Sequence, residues 1–293
     1  MVYLRRLPQF KYLAPRTLEE ALAFLEEQKD KAKVIAGGTD LLLRMKNREI
    51  TPKYLIGLKN ISGIDYIKHS EPDGLRLGAL CTLGSVESSQ IIQEKYNILA
   101  QAVRSMASDQ IRNVATVAGN ICTAVPSADT APALIVLGAK LKLLSPKDKR
   151  MVALEEFFTG PRQTVLKDVE LLAGIPVPNI TPNSKGVYLK HGLRKAMNLA
   201  TVGVAVMITS DGGYCRDVRI ALGAVAPIPL RATGAEAVLR GQELSDNLIE
   251  EAARVASEEA RPISDIRASA EYRRELVRVL TRRAVKQACL KTK

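Results

Sequence analysis

The sequence predicts an α+β fold in two parts, and three observations carry that expectation. Helix-like and strand-like periodicities alternate over residues 1–58, then give way to short strand pairs. A proline- and turn-rich stretch, Pro176-Val177-Pro178-Asn179-Ile180-Thr181-Pro182-Asn183, separates residues 1–178 from 179–293. Beyond it, strands come first and helices follow, the order of an antiparallel sheet with helices gathered to one side.

The first segment reads as strand at Phe10 to Tyr12, helix from Leu18, strand at Lys33 to Ala36, short helix from Leu41, and strand at Tyr54 to Leu58. Thr17 with Glu20 three residues later forms a capping box, and Leu18, Ala21, Leu22 and Leu25 then recur at helical spacing. From residue 59 a second subdomain begins. Asp65 to Lys68 and Gly74 to Leu80 flank the turn Glu71-Pro72-Asp73-Gly74, which predicts a hairpin. Helical stretches are expected at Leu83 to Ser88, Leu99 to Ala107 and Ala133 to Leu137, with a long irregular stretch of small residues from Ala115 to Pro132. Lys140 to Leu144 and Met151 to Val152 flank Ser145-Pro146-Lys147-Asp148, and Glu170 to Val177 is a further strand. After residue 179, Lys185 to Lys190, Ala200 to Thr209 and Cys215 to Leu222 read as strands, the last pair turning at Asp211-Gly212-Gly213. Helices at Glu236 to Leu239, Leu248 to Ala260 and Ala270 to Lys291 complete the chain.

Composition narrows the chemistry. At 293 residues the chain can bury sizeable cores, and no apolar run approaches the roughly 20 residues that span a bilayer. The opening, with Arg5, Arg6 and Pro8, interrupts any signal-like apolar stretch, so a cytoplasmic protein is expected. Cys81, Cys122, Cys215 and Cys289 are far apart, and His69 and His191 are the sole histidines. Neither a local metal or iron–sulfur motif nor a Ser-His-Asp triad is expected from that set. The net charge of +12 would suit nucleic acid, yet aromatic residues make up 4% and Trp is absent. Part of the excess lies in residues 251–293 with its signs interleaved, as on a solvated helix or the rim of a protein interface. No nucleic-acid partner is expected.

Two loops stand out. In Val34-Ile35-Ala36-Gly37-Gly38-Thr39-Asp40-Leu41 a buried strand runs through a double glycine directly into a helix whose cap is Thr39 or Asp40. Glycine leaves backbone N–H groups approachable by an anion, so a phosphate suits this place, as does a plain tight turn. The segment is neither G-x-G-x-x-G nor a Walker loop. The second loop, Ala115 to Pro132, holds Thr116, Asn120, Thr123 and Asp129, whose hydroxyl, amide and carboxylate groups suit phosphate oxygens and sugar hydroxyls. Asp129 is equally placed to cap the helix that follows.

The pairing of Ala36-Gly37-Gly38-Thr39-Asp40-Leu41-Leu42 with Ala115-Thr116-Val117-Ala118-Gly119-Asn120-Ile121 and Pro126-Ser127-Ala128-Asp129 resembles the FAD-binding medium subunit of molybdenum hydroxylases, the family of carbon monoxide and xanthine dehydrogenases. Ala221-Leu222-Gly223-Ala224-Val225-Ala226-Pro227-Ile228-Pro229-Leu230-Arg231-Ala232 resembles the signature of the family's C-terminal domain. The resemblance implies a two-part FAD-binding domain of the PCMH (vanillyl-alcohol oxidase-like) type, followed by an α+β domain of the carbon monoxide dehydrogenase flavoprotein type. It implies that residues 36–41 and 116–120 wrap the pyrophosphate and ribityl, with Ala118 and Gly119 in that wrap, and that Asp129 holds hydroxyls. Leu172 and Lys190 match positions near the isoalloxazine. Ala118 stands where many relatives carry a second glycine, so a negative φ is expected there, with Gly119 making the close approach.

A flavin brings its own redox chemistry, so few catalytic side chains are required and none is assigned. By resemblance, a large molybdopterin-binding subunit oxidises the substrate, a small 2Fe-2S subunit relays electrons, and this flavoprotein passes them to NAD, a quinone or another carrier. Two rivals are a stand-alone FAD oxidoreductase of the same topology and a nucleotide-binding interaction module without redox activity. Covalent members of the first class attach flavin through a histidine near the glycine loop, and none is present there.

Overall fold

The computed structural model describes residues 6–194 and 197–289. Arg5 and the end of the expected terminal helix, Leu290 and Lys291, lie outside that range. The first subdomain runs β1 (Lys11–Leu13), α1 (Leu18–Gln28), β2 (Ala32–Ile35), α2 (Leu41–Lys46) and β3 (Tyr54–Gly57). Helical crossovers force the strands parallel, and β3 sits between β1 and β2. Thr17 Oγ1 accepts from the Glu20 N–H at 3.1 Å, while Glu20 Oε2 accepts from the Arg16 N–H at 2.7 Å. The return half of the capping box therefore reaches one residue further back than the motif predicts. Ala21, Leu22 and Leu25 bury the inner face of α1 against Ile56 and Leu58.

The second subdomain contains β4 (Ile67–Ser70), β5 (Gly74–Gly78), α3 (Leu83–Ser88), α4 (Gln90–Lys95), α5 (Asn97–Arg104), α6 (Asp109–Arg112), α7 (Val117–Thr123) and α8 (Thr130–Val136). It continues with β6 (Lys140–Leu144), β7 (Lys149–Ala153), α9 (Leu154–Phe157), β8 (Phe158–Gly160), β9 (Gln163–Thr164) and β10 (Leu171–Val177). One antiparallel sheet has the order β4-β5-β10-β6-β7. Its middle strand, β10, is apolar along nearly its whole length because both faces are covered. The stretch 115–132 is not one irregular loop, because α7 and the start of α8 lie within it. Small and polar residues hide a helical period there, and Thr116 supplies the cap that starts it. The short elements α4, α6, α9, β8 and β9 give no periodic signal long enough to read.

After residue 183 the chain forms β11 (Ser184–His191), β12 (Val202–Asp211), β13 (Tyr214–Gly223) and β14 (Leu230–Arg231), an antiparallel sheet in sequential order. Gly212 and Gly213, at φ +56° and +93°, make the tight β12–β13 turn. Helices α10 (Thr233–Leu239), α11 (Asp246–Glu259) and α12 (Ala270–Cys289) cover one face. The side chains of β12 alternate accordingly. Val204, Val206 and Ile208 join the core beneath these helices, whereas Ala205 and Met207 join the core of α5 and α8.

Candidate functional site

The first glycine loop leaves β2 at Ile35 and enters α2 at Leu41. Gly38 has φ +72°, a left-handed conformation that costs glycine nothing. The first bond of the helix is Leu42 N–H to Gly38 O at 3.0 Å, so the N–H groups of Thr39, Asp40 and Leu41 precede the intrahelical ladder. Asp40 holds the N-cap position but with helical backbone angles and no side-chain cap. Neither Thr39 nor Asp40 therefore uses its side chain to cap α2.

Gly37 joins the two loops. A Cβ built on Gly37 would lie 1.9 Å from the Val114 carbonyl oxygen, so the backbone of residue 37 packs directly on that of residues 114–115. The second loop is pinned from the other side: Leu83 N–H donates to Ala115 O at 2.8 Å, and Val117 N–H to Cys81 O at 3.0 Å. Thr116 Oγ1 accepts from Gly119 N–H at 3.0 Å, Thr123 Oγ1 donates to Gly119 O at 2.8 Å, and Thr130 Oγ1 donates to Asn120 Oδ1 at 2.5 Å. The polar groups of this segment thus shape α7 first. Ala118 is helical, outside the left-handed region, and Ala124 instead takes φ +50° as the helix cap. Glycine at 118 is therefore not required by the backbone.

Between the loops lies a cleft of about 730 Å³. Ala36, Gly37, Gly38, Thr39, Asp40 and Leu41 line it, as do Thr116, Ala118, Gly119, Asn120, Thr123, Asp129 and Leu172. Lys190 is not among its walls. Its ammonium sits behind Asp129, 2.8 Å from Asp129 Oδ2, 2.9 Å from Ser105 O and 2.8 Å from Asn198 O. Asp129 does not cap α8, since its other oxygen accepts from Tyr188 Oη at 2.5 Å. Burial raises the Asp129 carboxyl above the usual carboxylate range, against the pull of Lys190 and the Tyr188 hydroxyl. Tyr188 escaped the sequence reading, although its spacing of two from Lys190 puts both on one face of β11.

The cleft also takes Lys33, Arg44, Arg162 and Lys167, which no sequence motif marked. Arg44 Nε is buried without a hydrogen bond, 3.5 Å from Glu49 Oε2. An unsatisfied buried donor, exposed basic side chains and free loop N–H groups fit a ligand carrying phosphates. Cys122, also on the wall, has its thiol pushed up to about 12 by burial, so it contributes an apolar surface and no thiolate. Glu170 at the rim holds Arg150 through contacts of 2.7 and 2.8 Å and accepts from Lys167 N–H at 2.9 Å. Arg150 foremost, then the Lys167 N–H, hold its carboxyl below the usual range despite burial. A depressed native value adds stability that is complete above about pH 4.3 and fades as pH falls through the native value. Glu170→Gln should accordingly lower the urea midpoint at pH 7 and converge with the parent as the medium is acidified below pH 4. A gap that widened on acidification would refute the assignment.

The C-terminal signature also reaches the site. Ala224, at φ +63°, donates its N–H to Pro126 O at 2.7 Å, and a Cβ on Gly223 would come 3.0 Å from Pro132 Cγ. Small residues there let the β13 corner press on the second loop. Arg231 serves a different end, gripping the buried Glu236 at 2.7 and 2.9 Å.

Residues 8–180 match the family described as FAD binding domain in molybdopterin dehydrogenase, and residues 187–288 match the CO dehydrogenase flavoprotein C-terminal domain. Glyceraldehyde dehydrogenase medium chain of Sulfolobus acidocaldarius is 35% identical over 96% of this chain and 98% of its own. Carbon monoxide dehydrogenase medium chain of Afipia carboxidovorans is 32% identical over 97% and 98%. A solved structure of carbon monoxide dehydrogenase from Hydrogenophaga pseudoflava superposes with a TM-score of 0.93 at 33% identity, covering 97% of this chain and 98% of that one. Matching domains in the same order, a shared fold and a phosphate-suited cleft between two glycine loops converge: the chain belongs to the FAD-binding medium-subunit family of the molybdopterin dehydrogenases, and its cofactor is FAD.

Proposed function

We propose that this oxidoreductase subunit is the electron relay of a cytoplasmic complex. A small partner subunit delivers electrons from 2Fe-2S clusters, a large molybdopterin-binding subunit oxidises the substrate, and NAD, a quinone or another carrier takes the electrons away. The observation that carries this reading is the cleft itself, where two loops of small residues face each other, basic side chains line the wall and neither histidine reaches it. Bound FAD supplies the redox chemistry, accepting electrons and passing them on. The chain's own residues bind and orient: residues 36–41 and 116–120 would wrap the pyrophosphate and ribityl, Asp129 would hold hydroxyls, and Leu172 offers an apolar wall. We take residues 1–178 as the FAD-binding domain and 179–293 as the C-terminal domain. The change of sheet between Val177 and Ser184 supports this division. Among the described residues no helix is long and apolar enough to cross a membrane.

The isolated chain, reconstituted with FAD, is expected to show a bound-flavin spectrum and no turnover of aldehyde or purine substrates. Adding the co-purifying subunits should restore substrate-dependent bleaching of the flavin. Robust substrate oxidation by the isolated chain would overturn the proposal in favour of a stand-alone oxidoreductase.

A further inference from the structure

The loop joining α11 to α12, residues 260–269, carries apolar side chains that the described residues leave uncovered. Ile263 is 71% exposed and Ile266 fully so, and Tyr272, at the start of α12, is half exposed. The loop nevertheless has a fixed shape. Asp265 accepts from the N–H groups of Arg267 at 2.8 Å and Ala268 at 3.3 Å, Ser264 Oγ accepts from Ala270 N–H at 2.9 Å, and Arg261 N–H donates to Val225 O at 2.8 Å. The buried Arg273 anchors it, its guanidinium donating to Asp265 at 2.8 Å and to Thr201 O at 2.7 Å. Tyr272 meets His191 edge to face, with ring centres 6.1 Å apart. Isoleucines held out to solvent on a preformed loop mark an interaction surface.

Place and charge say what that surface meets. Leu199, two residues before Thr201, is half exposed and lines the FAD cleft, so the apolar surface adjoins the cleft wall. Between Ala260 and Ala270 two arginines, Arg261 and Arg267, stand against one carboxylate, Asp265, on which Arg273 also draws. An apolar centre with a basic rim suits a partner whose own apolar patch is edged with carboxylates. We infer that Leu199, Ile263, Ile266 and Tyr272, with Arg261 and Arg267 at the rim, form the docking face for the subunit that carries the 2Fe-2S clusters. An electron donor to the flavin must come close to it, and this face borders the flavin's cleft. The inference rests on the electron-relay reading and names the face that reading leaves open.

Ile266 belongs to neither the cleft wall nor a core cluster, so Ile266→Glu in the full chain should keep the parent's FAD affinity and thermal midpoint. Titrated with the co-purifying subunit that shows the 2Fe-2S spectrum, this variant is expected to bind at least about 30-fold more weakly than the parent. Ile266→Lys removes the same apolar surface without repelling carboxylates and should lose less. Met151→Glu, at a half-exposed apolar position on the edge strand β7, should bind as the parent does. Parent-like binding by Ile266→Glu, or an equal loss in Met151→Glu, would overturn the inference while leaving the relay reading intact. So would a variant that keeps the 2Fe-2S subunit but releases the large subunit or a second copy of this chain. A parent chain that binds no 2Fe-2S subunit would overturn the relay reading and the inference with it.

Discussion

Apoprotein carrying Gly37→Ala should bind FAD about 100-fold more weakly than the parent, a loss near 3 kcal/mol, while remaining folded. The added methyl group would come within 1.9 Å of the Val114 carbonyl oxygen, which is backbone and cannot swing aside as a side-chain tip can. The Ala36–Leu41 loop must then lift from residues 114–115. Both loops are surface connections, so the empty chain accommodates the lift by opening the cleft. The cofactor needs both walls at once, and the cost therefore falls on the bound state. Gly63→Ala provides the comparison. Gly63 has φ +72° with nothing within 4 Å of the added carbon, so that variant carries about 1 kcal/mol of backbone strain and keeps its FAD affinity. Titration of both apoproteins by flavin fluorescence checks the pair. Parent-like affinity in Gly37→Ala would mean that loop contact is not what forms the site.

The largest loss of stability is expected in the other half of the molecule. Glu236 is 1% exposed, and its oxygens accept from Ile220 N–H at 2.9 Å and from Arg231 at 2.9 and 2.7 Å, with Arg240 at 3.5 Å. Glu236→Ala leaves the Arg231 guanidinium and a β13 amide without their acceptor, which should cost about 3–5 kcal/mol. Glu236→Gln retains an oxygen for part of the set and should lose less. Urea unfolding of the three proteins measures the series. A deficit below about 1 kcal/mol in Glu236→Ala would show that water and Glu155 satisfy Arg231 unaided.

What the sequence revealed was local. Thr17 and Glu20 announce α1 because cap and partner lie three residues apart, and the β-α-β-α-β order of the first subdomain follows from alternating periods. The glycine loops were legible as a pair, and every residue singled out in them lines one cleft. What stayed hidden depends on distance in the chain. Nothing near Gly37 names Val114 as the atom it must avoid. Lys190 is marked through the resemblance alone, and its partner Asp129, 61 residues earlier, shows only once the fold brings the two together. Helix α7 was hidden for a different reason, since Val117-Ala118-Gly119-Asn120-Ile121-Cys122-Thr123 has too few large apolar residues to show a stripe. Arg162 reaches the cleft from the β8–β9 turn and Lys167 from the segment between β9 and β10, stretches too short to carry a period.

The alternation along β12 has a consequence for how the protein responds to its ligand. Because Ala205, Met207, Ala221 and Tyr188 belong to the same core as α5 and α8, the two halves share apolar interior and do not merely abut. Melting either half would strip the other of buried surface, which couples them into one cooperative unit. Ligand occupancy shifts the folding equilibrium by mass action, so the stabilisation that FAD confers is distributed to α11 and α12, neither of which lines the cleft. Saturation with flavin thus protects the outermost helices from thermal and proteolytic attack, making cofactor supply a determinant of how long the whole polypeptide survives.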